Sequence, residues 1–223
     1  AQSGISRTTI GYFSWVGLTY SLKFFWSPVV DRLPLPGLTR VLGRRRSWML
    51  LAQCGIAAGL AGMALNDPSR HLMPTVAFAI LVAFSSATQD IALDAYRIEA
   101  AALDLQGGMA AAYQMGYRIA LIVAGAGALT IASHASWHAS YLTMAAFMLV
   151  GIVTVLIVSE PQSIISRETL MQEQRVVDFL ERSAHWPRPV QQASAWLIGA
   201  IVCPFVDFFS RNGLRSALFI LLF

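Results

Sequence analysis

Apolar runs of membrane-crossing length recur along the chain, and short polar stretches divide them. No Asp, Glu, Lys or Arg occurs from Trp48 to Asn66, from Leu72 to Gln89, or from Ile119 to Ser159. About 20 apolar residues, rising 1.5 Å each, cross a hydrocarbon core of about 30 Å. On that ruler the sequence predicts five spans and the start of a sixth, over 8–29, 47–65, 72–100, 108–132, 137–158 and from 214 onward. A basic connection at 31–46, turns at 66–71 and 133–136, a short link at 102–107 and a charged linker at 159–213 separate them. The expected fold class is an all-α polytopic membrane protein. Its parts are an N-terminal transmembrane bundle (1–158), a cytoplasmic linker (159–213) and the start of a second transmembrane part (214–223).

Composition removes the main alternative. Charged residues make up 13% of the 223 and mean hydropathy is +0.58, whereas a soluble domain carries roughly 25% charge. A cleaved secretory signal would concentrate the apolar residues at the start, and here they recur throughout. Two cysteines, Cys54 and Cys203, make no disulfide framework. The net charge of +4 comes from arginines gathered in loops, which is the positive-inside pattern and excludes nucleic-acid binding. Five arginines lie in 31–46 and five in 159–213, so both segments are assigned to the cytoplasm and the first visible span runs inward. The chain opens at Ala1 and closes inside an apolar run, so further spans are expected on both sides, most simply one upstream. Within the linker, 168–182 reads as an amphipathic surface helix. The apolar stretch 195–206, too short to span and interrupted by Pro204, reads as interfacial.

Against this background, ionisable residues inside apolar helices stand out, since each costs at least about 2.5–3.5 kcal/mol at the bilayer centre. Asp90, Asp94 and Arg97 recur at i, i+4 and i+7, a single helix face that Ser86 extends and Gln89 and Tyr96 flank. Asp90 and Asp94 are therefore candidate protonatable groups lining a cavity, while Arg97 and Glu99 are taken to mark the helix end. Arg118 needs an anion, either a neighbouring Asp or a substrate carboxylate. Gln114 shares its face, and Tyr113 and Tyr117 lie nearby. Lys23, with Tyr20 three residues before it, either snorkels to the membrane surface or meets substrate. Gly55 and Gly59 form a small-residue packing face, and Ala124-Gly-Ala-Gly127 reads likewise. His134 and His138 read as solvated loop residues. No metal-ligand spacing, phosphate loop or nucleophile elbow is found, and no cofactor is expected.

Several of these residues form a known pattern. Ser27-Pro-Val-Val-Asp31-Arg32 followed by Gly43-Arg44-Arg45-Arg46 resembles the loop signature between the second and third helices of the major facilitator superfamily. Ser27 stands where that superfamily usually has Gly, and the wide gap before Gly43 resembles the branch of AmpG-type muropeptide permeases, related to peptide and acetyl-CoA transporters. Val16 to Pro28, Ser85 to Tyr96, Gly116-Tyr-Arg118 and Asp207 to Asn212 are similar to that branch in the same order. The resemblance implies a partial major facilitator fold, helices two to six plus the start of helix seven. It also implies proton-driven import of anhydro-muropeptides from periplasm to cytoplasm across the bacterial inner membrane, for cell-wall recycling. The expected partners are that small-molecule substrate, protons and the lipid bilayer. Asp90 and Asp94 then serve proton coupling, and Arg118, Gln114, Tyr113, Gln89, Lys23 and Tyr20 serve substrate binding. Asp31, Arg32, Arg44, Arg45 and Arg46 form a cytoplasmic gate.

Two competing readings frame this one. Relatives of the same branch carry acetyl-CoA or siderophores. A remoter alternative is an intramembrane metal-dependent transferase, because Asp90-x-x-x-Asp94 resembles half of a carboxylate metal site; two Asp on one helix supply too few oxygens for it. The expected assignment is a transporter and not an enzyme, and the 223 residues alone are not expected to transport.

Overall fold

The computed structural model describes residues 17, 20, 22–67, 72–161, 167–183, 185–203, 206, 208–210, 213, 215, 216 and 219. All regular structure among them is helical. It falls into two units, residues 1–162 and 163–223, taken separately below.

In the first unit a 3-10 turn, Lys23–Phe25, leads into α1 (Ser27–Arg32), followed by a short α2 (Leu38–Leu42). The long elements are α3 (Arg44–Leu65), α4 (Leu72–Ala100), α5 (Gln106–Ile122) and α7 (Trp137–Ile157). A π turn, Val123–Gly127, joins α5 to α6 (Ala128–His134). Arg44–Leu65, Leu72–Ala100, the continuous run Leu103–His134 and Trp137–Ile157 are each long and apolar enough to cross a membrane. These match four of the expected spans. The expected span 8–29 lies mostly outside the described residues, and its described end departs from one straight helix. Pro28 has no N–H for the carbonyl four residues back, and the helix tightens at Lys23–Phe25 before restarting. The expected start of a span at 214 lies largely outside the described residues.

α3 is the central helix, packed on α4 on one side and α7 on the other. Small residues permit this. A Cβ on Gly59 would come 2.6 Å from Val82 Cγ2 and 3.1 Å from the Phe78 carbonyl, and one on Gly55 would strike the Ser85 hydroxyl. Lipid tails are as apolar as Leu, so helices associate here through such close van der Waals fit. Gly59→Val is therefore expected to destabilise the α3–α4 pair by about 1–3 kcal/mol, read as a lowered unfolding midpoint in detergent. An unchanged midpoint would remove Gly59 from the seam. The second small-residue run behaves otherwise: among the described residues a Cβ on Gly125 would meet no neighbouring helix within 4 Å, and one on Gly127 would meet only Val123 of its own turn. It forms the π turn, not the close approach expected.

One end of the bundle holds the buried cluster Val30, Met49, Ala92 and Val155, with Trp26, Trp48 and Tyr96 around it. Trp26 Nε1 donates to Thr88 Oγ1 at 3.2 Å and Trp48 Nε1 to the Leu33 carbonyl at 2.9 Å, seating both indoles. At the other end a His138 ring nitrogen hydrogen-bonds the Ala64 carbonyl at 2.8 Å, tying the last turn of α3 to α7. That histidine, expected to be merely solvated, thus has a structural partner. Leu149, Val150, Val153 and Ile157 face outward from α7, as a lipid-facing surface requires.

The second unit contains α8 (Arg167–Arg182) and α9 (Arg188–Leu197), with a π turn at Ile198–Val202. The Phe179 and Trp186 rings meet edge to face at 6.0 Å, and Gln191 Nε2 donates to the Leu180 carbonyl at 2.8 Å. These contacts close α8 and α9 into a hairpin.

Candidate functional site

α4 places its polar residues in one stripe because 3.6 residues per turn stacks Ser86, Asp90, Asp94 and Arg97 on one face. The segment before α1 meets the upper part of that stripe. Tyr20 donates its hydroxyl to Ser86 Oγ at 2.7 Å, and Lys23 lies within electrostatic reach of Asp90. α5 meets the lower part: the Arg97 guanidinium carbon sits 5.4 Å from the centre of the Tyr113 ring. Tyr113 is also within electrostatic reach of Asp90, Asp94 and Tyr117. Arg97 Nη2 stands 3.7 Å from Asp94 Oδ1, an ion pair too long for a hydrogen bond. Asp90, Asp94, Lys23 and Tyr113 are half-buried, so their charges and hydroxyls remain open to a solute.

The structure thus brings together Tyr20, Lys23, Asp90, Asp94 and Tyr113. It leaves Gln114 and Arg118 apart. Both are exposed on α5, and Arg118 makes no ion pair with Asp90 or Asp94 among the described residues. The Asp partner considered for it is absent. Gln89 is half-buried beside the stripe, and its side-chain oxygen is buried without a hydrogen bond. Arg97, which spacing puts on the same face and which is expected to mark the helix end, belongs to the cluster through Asp94. Among the described residues no group of three or more His, Cys, Asp and Glu could hold a metal ion.

A second charged cluster lies at the end of the bundle that carries the arginines. Arg45 is only 6% exposed. Its Nη1 donates to Asp31 Oδ1 at 2.5 Å and its Nη2 to Glu99 Oε1 at 2.6 Å, while Nε donates to the same Glu99 carboxylate at 3.1 Å. One guanidinium therefore fastens α1, α3 and α4. Glu99 is a partner of the arginine motif and not simply the helix end it was expected to be.

Gly43 and Glu160 complete this cluster. Gly43 turns the chain into α3 at φ +86°, and a Cβ there would run into the Glu160 side chain. Glu160 accepts the backbone N–H of Arg45 at 2.7 Å and of Arg46 at 3.1 Å, meeting free donors at the positive end of the helix. In return Arg46 donates to the Val155 and Leu156 carbonyls, each at 2.8 Å, in the last turn of α7. Arg44 Nε is buried without a partner.

A carboxylate stripe beside a knot of arginines and acids, on membrane-length apolar helices packed through glycine, describes part of a polytopic membrane protein. Comparison with known families agrees: the Major Facilitator Superfamily matches residues 1–223, and the chain belongs to that superfamily. It is 34% identical over 209 residues to the anhydromuropeptide permease of Escherichia coli K12, covering 93% of this chain and 36% of that protein. It is 32% identical over 213 residues to a putative transporter, AmpG 4, of Rickettsia conorii, covering 95% of this chain and 46% of that one. An uncharacterized protein of Haemophilus influenzae is 35% identical over 221 residues, 98% of this chain and 45% of its own length. The chain thus spans less than half the length of these relatives. No solved structure matches it.

Proposed function

We propose that this chain belongs to a secondary active transporter that imports anhydromuropeptides from periplasm to cytoplasm across the bacterial inner membrane, driven by protons. The observation that carries this reading is the half-buried pair Asp90 and Asp94 on an otherwise apolar spanning helix, faced by Lys23, Tyr20 and Tyr113. Ionisable groups at that depth are costly and are kept where ions or solutes pass. The likeness to the E. coli anhydromuropeptide permease supports a muropeptide as the substrate.

In this mechanism Asp90 or Asp94 takes a proton from the outer side and releases it inside. Lys23 and the tyrosines Tyr20 and Tyr113 contact solute together with Gln89, and the exposed Gln114 and Arg118 wait for a solute carboxylate or the opposing wall of the cavity. Asp31, Arg45 and Glu99 close the cytoplasmic end, with Arg32, Arg44 and Arg46 around them. Such transporters alternate by rocking one bundle against another around a site near the midplane.

The test is uptake of labelled anhydromuropeptide into vesicles bearing the full-length protein. Uptake that collapses on adding a proton ionophore supports the reading. No uptake of muropeptide, alongside uptake of acetyl-CoA, would replace the substrate with that of the related transporters.

A further inference from the structure

We infer that Arg97 is the anion-recognition residue of the α4 site, gripping a carboxylate of the solute in competition with Asp94; this assignment rests on the transport reading above. The two internal arginines of α3 and α4 differ sharply. Arg45 directs hydrogen bonds at Asp31 and Glu99 and is closed off. Arg97 makes no hydrogen bond among the described residues. Its one ion pair is slack at 3.7 Å, and its Nε is buried without a partner. A guanidinium has five donors in a rigid fork, and a buried donor left unmet is unfavourable until something meets it.

The surroundings orient that fork. The guanidinium carbon lies over the Tyr113 ring, 5.4 Å from its centre, which holds the fork against α5. The Arg97 and Asp94 side chains are 24% and 44% exposed, so an incoming group can reach between them. A planar carboxylate matches the fork with two parallel N–H bonds, which a point-charge ammonium cannot reproduce. The charged and titratable groups set against it are Asp94 on its own helix and Tyr113 on α5, with Asp90 also within electrostatic reach of Tyr113. Asp94 is the nearest anion, and a solute carboxylate must displace it.

The test measures binding to the full-length protein in nanodiscs, using an anhydromuropeptide with free peptide carboxylates and the same molecule with those carboxylates converted to methyl amides. Wild type is expected to prefer the acid by about tenfold or more, the loss of one charge-assisted hydrogen bond. Arg97→Gln should bind the amide as wild type does and lose the preference. Arg97→Lys should keep part of it, and Asp94→Asn should strengthen acid binding by removing the competitor. A preference that survives in Arg97→Gln, or equal binding of acid and amide by wild type, overturns the assignment and leaves the transport reading standing. Loss of both affinities in the Gln and Lys variants alike marks Arg97 as structural and also overturns it. Wild type that binds neither molecule removes the muropeptide reading, and the assignment falls with it.

Discussion

Asp90→Asn is expected to reduce proton-driven uptake of anhydromuropeptide to background while the protein still inserts into the membrane in normal amount. Asparagine keeps the volume and polarity of the side chain and removes its negative charge, and with it the ability to carry a proton. The surrounding contacts are tolerant of that change. Asp90 is half-buried, makes no hydrogen bond among the described residues, and has Lys23 and Asp94 as its charged neighbours. No hydrogen bond among the described residues therefore depends on its charge, and the insertion assay separates a loss of transport from a loss of folding. Insertion is checked by membrane immunoblot and uptake by filtration with labelled substrate. Full uptake with an unaltered dependence on the proton gradient would remove Asp90 from the coupling role; the same experiment on Asp94→Asn then decides whether its neighbour carries the proton.

Arg45→Ala is expected to destabilise the bundle by about 3 kcal/mol, the lower end of the range for breaking a buried ion pair. The loss comes less from the missing attraction than from the Glu99 carboxylate left without its partner at the helix junction. Glu99, 21% exposed, suffers most; Asp31, 43% exposed, can turn to water and contributes little. Arg45→Met with Asp31→Asn and Glu99→Gln should recover much of the stability, since all three charges then leave together. Unfolding midpoints in detergent measure both variants. A midpoint for Arg45→Ala within experimental error of wild type would mean that the knot contributes nothing to stability.

Much of the architecture was legible because apolar runs of bilayer length admit few other readings. α3, α4 and α7 begin and end within a few residues of the polar breaks that define them. The stripe on α4 was legible for the same reason, being a property of one helix. What spacing could not supply was the angular phase of one helix against another. Of the two anions open to Arg118, a neighbouring Asp or a solute carboxylate, the first is not met among the described residues, where Arg118 is exposed on α5. Three successive arginines, 44 to 46, point about 100° apart, and only the neighbours of α3 single out Arg45 for burial. Glu99 and Glu160 stand at helix ends, where an acid looks like a solubilising mark; each is instead held by α3. The break at Lys23–Phe25 was readable in advance from Pro28.

The exchange between Glu160 and Arg46 bears on how force travels. Glu160 grips the leading amides of α3 while Arg46 grips the trailing carbonyls of α7, so the crossing works as a coupling pin between two rods. A displacement of Glu160 is delivered to the residue that fastens Asp31 and Glu99, with only a carboxylate and one peptide plane between.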